Sequence, residues 1–181
     1  MKLSGRLDYD TGMRLDSNEY APHFDTYLKN VPEDDALAAI EAQSADTQKL
    51  LSGLDETRAS HRYADGKWSV KQVIGHLIDG ERIFSYRALA ISRGEQAPLP
   101  GWDENGYIAT AGYDSWSIGD LVEEFALLRR ANIVLFRNMP EEAWTRRGIA
   151  NGREISVRAL AGVIVGHERH HVRILRERYG L

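Results

Sequence analysis

The chain has 181 residues, of which 43% are hydrophobic and 28% charged, and this composition is typical of one globular domain with a sizeable core. A formal net charge of -4 argues against nucleic acid as a partner, and the absence of cysteine excludes disulfides, thiolate zinc sites and cysteine nucleophiles. Because no stretch reaches the roughly 18 apolar residues of a membrane span and the first residues lack the apolar core of a signal peptide, we expect a cytoplasmic protein with no membrane partner.

The first predicted element is an N-terminal strap. Aromatic and apolar side chains between Tyr20 and Leu28 are spaced so that a short helix could pack them against the rest of the protein. We therefore predict an extension over residues 1–30 and a single helical domain over residues 31–181.

Four long helices are predicted in that domain. The first runs from about Pro32 to Leu54, because proline suits the first turn and acidic residues follow it near the positive end of the helix dipole. Each of the other three begins with a capping serine preceded by a large apolar residue. They are predicted from Ser69 to about Gly94, from Ser117 to Pro140 and from Ser156 to about Tyr179.

The apolar spacing is helical in all four segments, and no run of β-branched and aromatic residues predicts a strand. We therefore predict an all-α protein, a four-helix bundle with long connections. The connection over residues 94–116 is long enough to cross the length of the bundle, so the second and third helices can run parallel. The third helix is expected to bury Leu121, Phe125, Leu128, Leu135 and Met139.

Three histidines occupy positions where apolar side chains are expected. His167 and His171 lie one turn apart on the inward face of the fourth helix. His76 lies on the second helix at a matching depth if the two helices are antiparallel neighbours. Such an arrangement could bring three imidazoles onto one metal ion; alternatively, each histidine is a core residue satisfied by a hydrogen bond.

The segment from His167 to His171 also matches the H-E-x-x-H motif of zinc proteases. The protease interpretation is disfavoured because only ten residues follow His171, too few for the usual third ligand. Glu168 and Asp79 are candidate catalytic residues, either as a base or as groups that orient a ligand. The alternative for each is an ion pair: Asp79 with Arg82 on the helix surface, and Glu168 with an exposed arginine.

Three stretches of the sequence resemble the DinB/YfiT-like family of metalloenzymes: GKWSVKQVIGHLIDGERIFSYRAL, PLPGWDENGY and SVRALAGVIVGHERHHVRILRERYG. The resemblance implies a four-helix bundle with a three-histidine metal site, which maps onto His76, His167 and His171. It also implies a homodimer and a small-molecule substrate, and some members of the family use low-molecular-weight thiols.

Three functions follow as hypotheses. Three neutral histidines leave a coordination position open on Zn²⁺, Ni²⁺ or Fe²⁺, which is the pattern of a catalytic site. The first hypothesis is therefore hydrolysis by metal-activated water. The second is thiol S-transfer, in which the ion binds a low-molecular-weight thiol that this cysteine-free chain cannot supply itself. The third is a non-enzymatic dimeric helical bundle.

Overall fold

The computed structural model describes residues 15–16 and 18–181. Four long helices, α2, α4, α6 and α8, form the bundle, which confirms the predicted fold class. Residues 1–14 and 17, which belong to the predicted extension, lie outside the described residues. The helices are α1 (Asp25–Leu28), α2 (Ala36–Ser52), α3 (Glu56–Ala59), α4 (Val70–Ser92), α5 (Glu104–Ala111), α6 (Ile118–Arg137), α7 (Glu141–Trp144) and α8 (Val157–Tyr179), the strands are β1 (Arg147–Ala150) and β2 (Arg153–Ser156), and single 3-10 turns span Pro22–Phe24 and Tyr113–Ser115.

The three predicted serine caps are confirmed. Ser69, Ser117 and Ser156 each accept a hydrogen bond from the backbone N–H three residues further on. At Ser69 the Gln72 side chain reaches back to the cap and completes a capping box. These local bonds satisfy N–H groups that the first turn of a helix cannot pair, and so they fix where the helices begin.

The predicted start of the first long helix was wrong. The helix begins at Ala36 rather than at Pro32, because the Asp35 side chain accepts a hydrogen bond from the backbone N–H of Ala38. An aspartate side chain at the cap accepts a hydrogen bond from a backbone N–H of the first turn, whereas proline is compatible with the first turn but pairs none of its N–H groups.

Helices α4 and α8 run antiparallel. Trp68, just before α4, accepts a hydrogen bond from the hydroxyl of Tyr179 at the end of α8. Further along α4, Gly80 lies against the ring of His167, which comes earlier in α8. This antiparallel packing brings the three histidines to one level of the bundle.

Helices α4 and α6 run parallel, as the long connection predicted. Lys71, at the start of α4, donates to the carbonyl of Trp116 just before α6. Glu81, further along α4, accepts from Asn132, further along α6. The connection that crosses between them contains α5 and one 3-10 turn.

The inward face of α6 differs from the predicted stripe of leucines. Leu128 and Leu135 are only partly buried, and the residues that face the core next to them are Arg129, Asn132 and Phe136. Apolar clusters fill the two ends of the bundle. The middle of α6 therefore brings polar groups into a region between two apolar halves.

A β-hairpin, which the sequence analysis did not predict, precedes α8. Strands β1 and β2 pair around Asn151 and Gly152, both of which have positive φ, +53° and +69° respectively. Asn-Gly favours this tight turn because both residues tolerate left-handed backbone. Leu99 of the long connection pairs with β1 through two backbone hydrogen bonds, to Ile149 and from Asn151.

The strap packs across α8. A side chain at Gly166 would bring its Cβ within 2.2 Å of the carbonyl oxygen of Tyr27, so glycine is required for this close approach. Among the described residues, no helix is both long enough and apolar enough to cross a membrane.

Candidate metal centre

The structure brings His76, His167 and His171 together. One ring nitrogen from each lies within 4.8 Å of the other two. The ring centroids are 4.6, 4.7 and 4.8 Å apart, and the three interplanar angles lie between 61° and 70°. The three rings are therefore arranged almost symmetrically around a common point.

Burial keeps these rings neutral. Their exposed fractions are 1%, 3% and 9% in chain order. Burial, helped by the neighbouring histidines, lowers the pKa of His76 to about 4 and that of His171 to about 2. It holds the pKa of His167 well below its usual value. Since a protonated imidazole cannot bind a metal, all three rings are in the ligating form at neutral pH.

The donor set fits a divalent ion. The Nε2 atoms of His76 and His167 face each other at 2.9 Å, and two neutral rings share at most one proton there. Nδ1 of His76 is buried without a hydrogen-bond partner among the described residues. Three converging imidazole nitrogens with few internal partners are a ligand set that Zn²⁺, Ni²⁺ and Fe²⁺ accept.

Aromatic side chains form the walls of the site. The His76 ring lies between Trp68, at a centroid distance of 5.0 Å, and Trp102, which stacks on it at 5.3 Å with an interplanar angle of 8°. On the opposite side Tyr27 of the strap makes edge contacts with His167 at 5.3 Å and with His170 at 6.0 Å. These rings fix the imidazole orientations and exclude water from their edges.

Trp102 is held in place by the unpredicted hairpin. Its neighbour Gly101 packs against Asn151 so closely that a Cβ there would lie 2.3 Å from the side-chain oxygen of that asparagine. Arg87 donates a hydrogen bond of 2.7 Å to the carbonyl oxygen of Pro100. The long connection is thus an anchored wall of the site on the α4 side.

Glu168, a predicted catalytic residue, lies in a buried ion pair. One of its oxygens is 2.7 Å from Arg129 and also accepts from Gln43. The other oxygen is buried and has no partner among the described residues. Glu168 is not part of the cluster of ligating nitrogens.

Arg129 is the centre of a charge network that the sequence analysis missed. Its side chain is fully buried and binds Glu81 through two hydrogen bonds of 3.0 and 2.8 Å, while Asn132 donates to the same carboxylate. Burial acts to lower the pKa of Arg129, but the charges of Glu81 and Glu168 outweigh it and raise that pKa. The available signal was the spacing of Phe125, Arg129 and Asn132, which puts both polar residues on the inward face.

Asp79, the second predicted catalytic residue, binds Tyr113. The tyrosine hydroxyl donates to one carboxylate oxygen at 2.7 Å, and the other oxygen is buried without a partner among the described residues. Burial raises the pKa of this carboxyl, although the Tyr113 hydrogen bond and the charge of Arg82 oppose the shift. Arg82 forms its ion pair with Glu124 and not with Asp79.

The centre is reached through a pocket of about 320 Å³ that has His171 in its wall. A larger groove of about 630 Å³, lined by Glu33 and by residues of α2 and α8, contains none of the three histidines. The smaller pocket is therefore the one that bears on the chemistry of the site.

The family model of the DinB superfamily matches residues 39–175, a range that includes all three histidines and leaves out the strap. No functionally curated protein matches the chain.

Solved structures share the fold. YfiT from Bacillus subtilis, described as a probable metal-dependent hydrolase with an unusual four-helix bundle topology, is 19% identical with a TM-score of 0.70, and the match covers 80% of this chain and 86% of YfiT. A mycothiol-dependent maleylpyruvate isomerase is 18% identical with a TM-score of 0.61; the match covers 80% of this chain but only 59% of the isomerase. A variant of that isomerase gives a TM-score of 0.63. At these identities the likeness shows a common fold.

Proposed function

The chain belongs to the DinB superfamily, and we propose that it is a metal-dependent enzyme in which His76, His167 and His171 bind one divalent ion. The convergence of three ring nitrogens within 4.8 Å carries this proposal. Neutral imidazoles suit Zn²⁺ or Ni²⁺ best, with Fe²⁺ as a third candidate.

We propose hydrolysis of a small molecule as the reaction. When bound, such an ion supplies Lewis acidity that makes water a usable nucleophile near neutral pH. The similarity to YfiT supports this choice. Trp68, Trp102 and Tyr27 hold the imidazole rings and exclude other water from them.

Glu168 and Asp79 remain proposed catalytic residues. Each carboxylate has one oxygen engaged, with Arg129 and Tyr113 respectively, and one buried oxygen without a partner in the described part of the chain. The unengaged oxygen of each is the atom that could take up a proton.

Thiol S-transfer is the second candidate. One neighbour in fold is a mycothiol-dependent isomerase, and this chain has no cysteine of its own. A metal site in this chain that uses a thiol nucleophile must therefore bind a thiol from solution.

Two probe reactions separate the candidates. A hydrolase loaded with metal should cleave para-nitrophenyl acetate with water alone, and the His76→Ala variant should lose that rate. A thiol transferase should be silent until cysteine is added and should then consume chlorodinitrobenzene and cysteine in equal amounts. If neither rate depends on the metal or on His76, the proposed function is wrong.

A homodimer and the division into an extension (1–30) and a helical domain (31–181) also remain proposals. Leu127 and Val134 on α6, with exposed fractions of 48% and 55%, offer apolar surface that a second copy could cover. Sedimentation velocity of the full chain tests the dimer.

A further inference from the structure

The pocket that reaches His171 has an aromatic wall. Tyr63 and Tyr179 meet edge to face at 5.0 Å, and Trp68 lines the same pocket. Its volume of about 320 Å³ is near the lower end of the range of roughly 300 to 1,000 Å³ that is usual for small-molecule sites. The pocket therefore suits a small ligand rather than a polymer.

Two opposite charges share this pocket. Lys67 and Glu104 both line it, both are exposed, and neither forms an ion pair within the described residues. The side-chain amide of Asn105, which lines it too, makes no hydrogen bond there either. The polar groups around the pocket are thus available to a ligand.

The position of Glu104 connects it to the metal centre. Glu104 lines the same pocket as His171. It follows Trp102 by two residues, and the Trp102 ring stacks on His76 at a centroid distance of 5.3 Å.

Both charged residues are on anchored backbone. Arg62 donates hydrogen bonds of 2.6 Å to the carbonyl oxygen of Lys67 and 2.7 Å to the side chain of Gln72 in α4. Glu104 opens α5, which Asp103 caps through a hydrogen bond of 3.1 Å from the Asn105 backbone N–H. The backbone positions that carry the two charges are therefore held before any ligand binds.

We propose that this pocket binds a zwitterionic small molecule of the α-amino-acid class. Its carboxylate binds near Lys67, its ammonium group binds near Glu104, and its third functional group reaches the histidine cluster. Charges of opposite sign on anchored backbone orient such a ligand and disfavour molecules with only one of its charged groups. The inference rests on the proposed function, because an ion bound by His76, His167 and His171 would supply the coordination position for the third group.

Three thiols test the charge requirement with the Co²⁺-loaded protein. L-cysteine carries both charged groups, cysteamine lacks the carboxylate and β-mercaptopropionate lacks the amine. The dissociation constant of each is measured from the thiolate-to-cobalt charge-transfer band. Because the thiols differ in intrinsic acidity, each thiol is compared with itself across variants of the protein.

The variants should give a crossed pattern. Lys67→Met should weaken binding of cysteine and β-mercaptopropionate by about threefold to fivefold and leave cysteamine unchanged, since one solvent-exposed charge pair accounts for a change of that size. Glu104→Gln should weaken cysteine and cysteamine and leave β-mercaptopropionate unchanged. Lys49→Met and Glu123→Gln, at exposed sites outside the pocket, are matched controls and should change nothing.

Each outcome either supports or overturns the inference that the pocket recognises both charged groups of the ligand. General damage to the site weakens the binding of all three thiols together, so only the crossed pattern supports the inference. If the dissociation constants of all three thiols change equally, or if none of them changes, while cobalt stays bound, the inference is overturned and the proposed function stands. Failure of the unsubstituted protein to bind Co²⁺, Zn²⁺, Ni²⁺ or Fe²⁺ overturns the proposed function and the inference with it.

Discussion

Two polar clusters lie side by side in the middle of the bundle, and they differ in charge and in hydrogen bonding. The Arg129 cluster pairs a full positive charge with two carboxylates, those of Glu81 and Glu168. The histidine cluster is neutral, and its rings have almost no hydrogen bonds within the described residues. Buried charges need partners inside the protein, whereas neutral imidazoles keep lone pairs for an external ligand. The Arg129 cluster therefore stabilises the fold and positions Glu168, whereas the histidine cluster is suited to binding a metal ion.

Among single substitutions, the largest expected effect comes from breaking the charged cluster. Arg129→Met leaves Glu81 and Glu168 buried without their counter-ion, and it should lower the free energy of unfolding by about 3 to 5 kcal/mol. Urea denaturation of the purified protein measures the change. Arg130→Met, at the exposed neighbouring position, is the control, and a loss of under about 1 kcal/mol for Arg129→Met would mean that the cluster does not stabilise the fold.

The histidine cluster should instead show in the pH dependence of stability without metal. Between about pH 6.5 and pH 5 the histidines of the unfolded chain take up protons, whereas burial keeps His76, His167 and His171 neutral in the folded state. The unfolded state then binds more protons, so stability falls as the pH falls, by about 1.4 kcal/mol per pH unit for each such histidine.

Urea denaturation of the metal-free protein at pH 7 and pH 5 measures this slope. His76→Asn removes one of these histidines and should make the slope shallower by about 1.4 kcal/mol per pH unit. A stability that is independent of pH across this range would show that the buried rings are not held neutral.

A third prediction concerns a substitution that acts on the histidine cluster and not on the charged cluster. In Gly80→Ala the added Cβ would lie 2.7 Å from Cε1 of His167, so the ring must shift and metal affinity should fall by about tenfold or more. Calorimetric titration with Zn²⁺ measures this, and Gly119→Ala, where the nearest side-chain atom is 3.7 Å away, serves as the control. Unchanged affinity for Gly80→Ala would indicate that the orientation of His167 does not matter for binding.

The smallest effect is expected at an exposed ion pair. The Arg82 side chain is 49% exposed and pairs with Glu124, so solvent screens the interaction. Arg82→Met should lower the free energy of unfolding by at most about 1 kcal/mol. A loss as large as that of Arg129→Met would show that burial does not determine how much an ion pair stabilises this fold.

The sequence predicted those features that local rules determine. Ser69, Ser117 and Ser156 cap their helices because each cap needs only the next three residues. The four-residue spacing of His167 and His171 places both rings on one face, and antiparallel packing of two amphipathic helices adds His76.

The features it missed depend on distant contacts or on a competing pattern. Asn151 and Gly152 are a turn signal, but the strands beside them are short and their apolar residues continue into the pattern of α8. The leucines of α6 concealed Arg129, whose burial becomes favourable only once carboxylates from two other helices surround it. The stacking of Trp102 on His76 requires the hairpin to hold the long connection.

Metal content tests the central claim most directly. Tag-free protein is offered Zn²⁺, dialysed and analysed by mass spectrometry beside His76→Ala, His171→Ala and two controls at exposed histidines, His23→Ala and His61→Ala. We predict about one ion per chain in the unsubstituted protein and both controls, and none in the two cluster variants. Zinc retained by the cluster variants, or no uptake of zinc, nickel or iron by the unsubstituted protein, would contradict the proposed site.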